Sequence, residues 1–203
     1  MNATPSPPAH AIIPLALFES LRGLDAPPGE LDDVHRDLSA KRLGMSQTVA
    51  SQIDRYGRLA RGERRVLADE VAGVLRLVGR RADAGLVFAD AGRRAGRHAA
   101  SRVGSSLRAL WRLMPGAVGE RLGFALARAA ARTLSIQLVR DGAVAVATIR
   151  DPIAVQATPG GAACGFYGSA VAEVLRTFTS FDSAMVHSEC RARGASRCEW
   201  RAA

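Results

Sequence analysis

Cysteine, aromatic side chains and long apolar runs are all scarce in this chain of 203 residues. No uncharged apolar run approaches the roughly 18 residues of a transmembrane helix, so we predict no membrane-spanning segment. The three cysteines, an odd number, fit a reducing compartment better than a disulfide framework. Residues 1–10 lack a basic segment followed by an apolar stretch. We therefore expect a cytoplasmic protein that is not secreted.

Lysine is nearly absent as well, and arginine carries the positive charge. Lys41 is the only lysine among 28 basic residues, and the net charge is +9. Residues 39–132 hold 19 basic and seven acidic residues, a net charge of +12, whereas residues 1–38 carry −4 and residues 133–203 carry +1. Such a basic region could bind phosphates. Few aromatic residues accompany it to stack on bases, so we predict solvated helix faces and no specific nucleic-acid partner.

The apolar pattern divides the chain into a helical part and a strand-rich part. A short apolar helix is predicted from Ile12 to Leu21, after a flexible leader, and residues 43–134 follow a helical period. We assign residues 1–38 to the leader with its short helix. Residues 39–203 form one α+β domain, in which helices pack on a small antiparallel sheet.

Beyond residue 134 the apolar period shortens to two residues, which indicates strands. Asp141-Gly142 predicts a hairpin turn. A helix from Cys164 to Thr177 and two further strands complete the predicted order of elements. Within the preceding helical part, we expect the helix after Pro115 to turn one apolar face inward. That face comprises Val118, Leu122, Ala125 and Ala129.

A helix predicted from about Asp83 to Val103 carries small residues on one face. These residues are Gly85, Ala89, Gly92 and Gly96. Each glycine costs roughly 1 kcal/mol relative to alanine inside a helix, so the pattern requires a reason. A face without side chains admits either the backbone of another helix or a flat ligand. The sequence leaves both interpretations open.

All three cysteines lie in the last 40 residues, close to a histidine. Cys164 begins a predicted helix, Cys190 and Cys198 flank the final turn, and His187 precedes Cys190 by three positions. Three cysteines and one histidine form a closed tetrahedral zinc shell. Three buried free thiols and a surface histidine are the alternative, and the spacing alone does not decide between them.

The zinc interpretation makes two local demands. Positions 187 and 190 of a regular strand point to opposite faces, so a bulge or turn is required near Cys190. The thiol of Cys164 should ionise readily, because the backbone N–H groups at a helix N-terminus lower the pKa of a cysteine.

Several segments resemble the 4-vinyl reductase domain family over roughly residues 60–203. The ending HSECRARGASRCEW resembles the last strands of that domain, which carry a cysteine, a glycine-containing turn, a second cysteine and an aromatic residue. FADAGRRAGRHAA is similar to the family's glycine-containing helix, and CGFYGSAVAEVL to its cysteine-led helix. LWRLMPGAVGERLGFALARAA is similar to a helix break in the freestanding members of bacteriochlorophyll biosynthesis.

The resemblance implies a zinc site. Aromatic-sensing regulators that share the domain bind zinc through a cysteine, an acidic residue and two further cysteines. Carried onto this chain, those ligands fall on Cys164, His187, Cys190 and Cys198, with histidine in place of the acid. Four protein ligands leave no open position, so the implied zinc is structural.

The resemblance also implies a function connected with photosynthesis. It favours a zinc-stabilised protein that binds a flat hydrophobic ligand, a tetrapyrrole intermediate of bacteriochlorophyll biosynthesis, as a carrier or accessory to 4-vinyl reduction. A 4-vinyl reductase acting on divinyl-chlorophyllide and a freestanding sensor of small aromatic compounds are the alternatives. No GxGxxG turn follows a strand, and no flavin or iron–sulfur ligand set remains. We therefore lean against an enzyme and assign no catalytic residue.

The ligand is expected between the glycine-containing helix and the sheet. The candidate pocket residues are Phe88, Gly92, Gly96, Trp111, Met114, Phe124, Phe166 and Tyr167. Core packing is the alternative for each aromatic residue. His98 is a candidate ligand for the central metal of a tetrapyrrole, against an ordinary core or surface histidine. Expected partners also include a second copy of the chain in a homodimer and the surface of an anionic membrane.

Overall fold

The computed structural model describes residues 8–26, 46–158 and 160–203, which form a single α+β domain. The helices are α1 (Ile12–Asp25), α2 (Gln47–Arg61), α3 (Ala68–Gly79), α4 (Ala84–Ser101), α5 (Ser105–Leu113), α6 (Gly116–Thr133), α7 (Ile153–Ala157) and α8 (Cys164–Phe178). The strands are β1 (Ala9–His10), β2 (Arg65–Val66), β3 (Gln137–Asp141), β4 (Val144–Ile149), β5 (Met185–Glu189) and β6 (Cys198–Ala202). Among the described helices, none combines the length and apolarity that crossing a bilayer requires.

The second half of the chain builds a four-stranded antiparallel sheet in the order β3-β4-β6-β5. Asp141 pairs with Val144, so the hairpin loop consists of Gly142 and Ala143. Gly142 has φ +61°, a backbone conformation that favours glycine. The predicted hairpin is confirmed, with its loop one residue further along the chain. β6 lies between β4 and β5, so the last strand is an inner strand of the sheet.

The N-terminal segment contributes more to the fold than the sequence pattern predicts. α1 extends to Asp25, and most of its residues are buried against α2, α3 and α4. Ala9 and His10 are buried and pair with β2, so the predicted leader is wrong for these two residues. Residues 1–7, the expected domain boundary at residue 38 and the start of the predicted helical part at residue 43 lie outside the described residues.

α4 and α8 pack at backbone distance, and glycine makes this possible. A Cβ atom at Gly92 would lie 2.2 Å from the carbonyl oxygen of Phe166, and one at Gly96 would lie 2.7 Å from that of Ala170. Any larger side chain would separate the helices. Among the residues that the structure describes, none places an atom within 4 Å of the Cβ position of Gly85, and Gly85 takes no part in this contact. Of the two interpretations of the small-residue face, the structure shows close helix packing at Gly92 and Gly96.

The inward face predicted for α6 is wrong at two of its four residues, since Leu122 and Ala125 are partly buried and Leu122 packs against the core. Val118 and Ala129 are exposed, while Gly123 and Leu126 are buried. A Cβ atom at Gly123 would lie 1.8 Å from the carbonyl oxygen of Phe178, at the end of α8. The helix therefore turns its small residues toward the body of the protein. An apolar pattern that treats glycine as neutral misses this face.

Candidate metal centre

Four side chains converge at the junction of α8 with the β5–β6 edge of the sheet. Cys164 is the first residue of α8, His187 lies in β5, and Cys198 is the first residue of β6. Cys190 precedes a single 3₁₀ turn, Arg191–Arg193, that connects the two strands. One ligand atom from each of the four residues lies within 4.8 Å of all the others. The cluster that the sequence and the resemblance indicated is therefore assembled, and it could hold a metal ion.

The spacing of the sulfur atoms suits tetrahedral coordination. The Sγ atoms of Cys190 and Cys198 are 3.9 Å apart. Zn–S bonds of about 2.3 Å in a tetrahedron place two sulfurs about 3.8 Å apart. A disulfide requires an S–S distance of about 2.05 Å, and all three cysteines are free and buried.

A strand irregularity brings His187 and Cys190 to the same side. The pairing of β5 with β6 shifts register between His187 and Glu189, so His187 faces Trp200 while Glu189 faces Glu199. One extra residue in a strand reverses the alternation of side chains that follow it. The predicted bulge is confirmed.

The imidazole of His187 is oriented for a ligand role. Its Nε2 atom is buried and has no hydrogen-bond partner in the described part of the chain. Metal-binding histidines commonly donate their second ring N–H to a backbone carbonyl group, which leaves the other nitrogen free for the metal. Burial, followed by the positive charge of Arg193, lowers the pKa of His187 and favours the neutral imidazole that a metal requires. An interaction of the ring with the backbone of Glu189 favours the protonated form and opposes the two effects that lower its pKa.

The 3₁₀ turn supplies backbone N–H groups to the sulfur atoms. The N–H of Arg191 donates to Sγ of Cys198 at 3.3 Å. Burial disfavours the thiolate of Cys190, but hydrogen bonds from the backbone of Ala192 and from the Cys198 thiol outweigh it and lower the pKa of Cys190. These N–H groups would stabilise negative charge on metal-bound sulfurs.

The expected low pKa of Cys164 is wrong for the cluster without a cation. Burial raises the pKa of the Cys164 thiol, and the negative charges that Cys198 and Cys190 acquire on ionisation raise it further. Burial likewise raises the pKa of Cys198. The stabilisation that one helix N-terminus gives to the Cys164 thiolate does not offset the removal of its sulfur from water and the proximity of two other sulfurs. A cation among the three sulfurs reverses this balance, because coordination deprotonates thiols.

Gly161 completes the wall of the cluster, a role that sequence reasoning missed. Its φ is +71°, and a Cβ atom there would lie 2.9 Å from Sγ of Cys190. The pair Gly160-Gly161, three residues before a helix-initiating cysteine, is the sequence signal that could have identified it. Glycine lets the backbone approach the sulfurs where a side chain would displace them.

The structure places the candidate pocket residues in packing contacts. Phe88, Phe166 and Tyr167 are buried in the core, with Tyr167 beside Trp200. Gly92 and Gly96 are covered by α8. The space expected for a ligand between α4 and the sheet is thus filled by α8, and ligand binding by these residues stays a prediction.

The three remaining candidates lie near the α5–α6 corner. The indole of Trp111 meets the ring of Phe178 edge-on, with centroids 5.7 Å apart. Met114 follows the last residue of α5, and its carbonyl oxygen lies close to Gly119. Phe124 contacts the guanidinium group of Arg140, 4.6 Å from the ring centroid.

His98 has a protein partner. Its Nε2 atom lies 2.9 Å from a carboxylate oxygen of Glu19, and the side chain is partly exposed. A tetrapyrrole metal would compete with this contact for Nε2. A role for His98 in tetrapyrrole binding stays a prediction.

Comparison with known proteins finds no match. No protein-family model, no curated protein and no solved structure matches this chain. The resemblance to the 4-vinyl reductase domain therefore stays a prediction that rests on the sequence motifs.

Proposed function

We propose that Cys164, His187, Cys190 and Cys198 bind one zinc ion in a structural site. Two observations carry this proposal. One imidazole nitrogen of His187 lies within 4.8 Å of three cysteine sulfurs, and the buried Nε2 atom of the same ring has no hydrogen-bond partner among the residues that the structure describes. A buried polar atom without a partner is costly. Zinc satisfies the nitrogen and the three thiolates together. Soft sulfur ligands with one imidazole favour zinc over magnesium or calcium.

In this proposal the zinc ion fastens the end of the sheet to α8. The ligands come from the start of α8, from β5 and from the beginning of β6, so one ion joins three elements. Four protein ligands leave no position for a substrate or an activated water, which supports a structural role. The thiolates must stay reduced to bind the metal. This requirement supports the expected cytoplasmic location.

Cobalt substitution tests the ligand set directly. Cobalt(II) bound by three thiolates and one imidazole in a tetrahedron gives a strong sulfur-to-metal absorption band and intense visible bands. We expect these bands in the native chain, and a weaker sulfur band in Cys198→Ser. His98→Ala is the matched histidine control and should leave the spectrum unchanged. A pale, six-coordinate cobalt spectrum in the native chain would contradict the proposal.

We propose further that this zinc-stabilised fold binds a flat hydrophobic carboxylate, a tetrapyrrole intermediate being the leading candidate. The resemblance supplies this ligand class, and a groove between α4 and α6 supports it. The groove encloses about 470 Å³. Leu107 and Leu126 contribute apolar surface to it, and Arg65 and Arg132 contribute positive charge. Arg102 also lines the groove, where it is ion-paired with Glu63. An apolar wall with a few charged groups matches a ligand that is flat and carries carboxylates.

Titration with protoporphyrin tests this ligand proposal. Binding should shift the porphyrin absorbance and quench the tryptophan fluorescence of the chain. Arg132→Glu should weaken binding at least about tenfold, since it replaces an attraction with a repulsion. Arg128→Glu, one helical turn away and outside the groove, is the matched control. Absence of binding, or equal losses in the two variants, would exclude this groove as the ligand site.

A further inference from the structure

Helix α5 rests on the surface of the protein with an apolar side uncovered. None of its nine residues is buried. Leu107, Leu110 and Leu113 follow one another at intervals of three, which keeps them on one side of the helix, while Arg108 and Arg112 lie on the other. A helix of this pattern in a soluble domain normally turns its leucines into the core. Here the leucines are exposed.

The exposed apolar side chains concentrate at this corner of the fold. Ten large apolar residues are exposed in the described part of the chain. Four of them, Leu107, Leu110, Leu113 and Val118, fall within residues 107–118. Single exposed leucines are ordinary, but a cluster on one helix and the adjoining turn marks an interaction surface.

Trp111 fixes which side of α5 faces outward. Its indole packs edge-on against Phe178, and its Nε1 atom lies 2.8 Å from the Cβ position of Gly123. The helix is therefore attached to α6 and α8 through this one large side chain. Leu113 projects elsewhere and is 77% exposed.

The same corner is strongly basic. Residues 105–133 contain five arginines and one acid, Glu120. None of the five forms an ion pair with a residue of the described ranges, although Glu120 lies 3.9 Å from Arg140 in β3. The arginines are Arg108, Arg112, Arg121, Arg128 and Arg132. Leucines flanked by unpaired arginines complement a surface with an apolar interior and a negatively charged outer layer.

We propose that α5 lies in the interface of an anionic lipid bilayer, with Leu110 and Leu113 among the acyl chains and Arg112 and Arg121 against the lipid headgroups. Amphipathic helices with a leucine side and an arginine side bind membranes in this way. A second copy of the chain is a poorer occupant. A two-fold contact through α5 places the same arginines opposite each other, where like charges repel.

Vesicle flotation tests the proposal with the full chain and its matched variants. The vesicles are pure phosphatidylcholine, or phosphatidylcholine with about one-third phosphatidylglycerol. We expect binding to the anionic vesicles and little to the neutral ones. The double variant Leu110→Ser/Leu113→Ser should bind anionic vesicles at least about tenfold more weakly, because it removes the inserted side chains. Arg112→Gln/Arg121→Gln should lose roughly fivefold per arginine, and high salt should have the same effect.

The control is Leu67→Ser/Leu86→Ser, which replaces two other leucines that are also exposed but lie outside α5. It should bind like the native chain. Any of three results overturns the proposal. The native protein does not bind anionic vesicles, it binds neutral vesicles equally well, or the control loses as much binding as Leu110→Ser/Leu113→Ser. Light scattering that shows a dimer which Leu110→Ser/Leu113→Ser dissociates would assign the surface to self-association instead, and would also overturn it.

Discussion

The imidazole of His187 lies flat against the indole of Trp200, with ring centroids 4.8 Å apart and planes within 11° of parallel. The two residues are direct partners across β5 and β6, and Trp200 is buried. The sheet itself therefore holds the imidazole plane beside the cysteine sulfurs. We infer that the site is preorganised, so that metal binding adds stability to a fold whose ligands are already in place.

Loss of one sulfur ligand should lower the stability of the fold without unfolding the chain. Cys198→Ser leaves a three-ligand site at the start of β6, and the melting temperature should fall by roughly 10 °C, since each kcal/mol corresponds to a few degrees in a domain of this size. Scanning calorimetry measures the shift. A strong chelator should lower the melting temperature of the native chain and leave that of Cys198→Ser nearly unchanged. Equal melting temperatures for the two proteins would argue against a structural metal.

Gly161→Ala should damage the metal centre from outside the ligand set. The new Cβ atom would lie 2.9 Å from Sγ of Cys190, at a backbone φ of +71°. The left-handed conformation alone costs roughly 1–2 kcal/mol, and displacement of the sulfur should weaken metal affinity as well. Competition with a colorimetric chelator measures that affinity.

Gly160→Ala is the matched control for this substitution. No atom of the described ranges lies within 4 Å of its Cβ position. Its effect should stay within about 0.5 kcal/mol, as for most surface substitutions. Indistinguishable metal affinities in the two variants would show that Gly161 is not part of the site.

Gly92→Ala and Gly85→Ala should have opposite effects on stability, although both replace a glycine in α4. The first introduces a Cβ atom 2.2 Å from a carbonyl oxygen of α8 and should cost about 3 kcal/mol, because the helices must separate. The second meets open space and should gain roughly 0.5–1 kcal/mol. Urea denaturation measures both. A stabilising Gly92→Ala would refute the close packing of α4 on α8.

His10 should make stability depend on pH. Its Nδ1 atom accepts the N–H of Ile12 at 3.1 Å. Burial, followed by the charges of Arg102 and Arg65, lowers the pKa of His10 from 6.5 to about 4. In the unfolded chain His10 becomes protonated below about pH 6.5, whereas in the folded chain it becomes protonated only near pH 4. The free energy of unfolding therefore falls as the pH falls through this window. The loss amounts to about 3 kcal/mol.

The variant His10→Asn isolates this contribution. Asparagine keeps an acceptor for the N–H of Ile12 but does not titrate. Acid releases metal from both proteins, so their difference reports His10 alone. The stability advantage of the native chain should shrink by about 3 kcal/mol between pH 6.5 and pH 4. A pH-independent difference would contradict the assignment.

The parts of the fold that the sequence predicts well depend on local patterns. Asp141-Gly142 identifies a hairpin because few residues adopt its backbone conformation. The helix predicted from Cys164 to Thr177 is present and runs from Cys164 to Phe178. The zinc interpretation, combined with the side-chain alternation of a strand, required a bulge or turn near Cys190, and the register shift confirms it.

The parts that the sequence misses depend on contacts between distant residues. The burial of His10 follows from pairing with Arg65, which no local pattern encodes. The inward face of α6 contains Gly123, whose role is visible only beside Phe178. The raised pKa of Cys164 reflects desolvation and two sulfurs from elsewhere in the chain, whereas the sequence showed only a helix N-terminus.

The metal content of the purified native chain tests the central claim most directly. Elemental analysis should give about one zinc per chain, and mercurial modification of the three thiols should release that zinc in full. Folded protein that carries no zinc after preparation without chelators, and takes up none when zinc is supplied, would contradict the account.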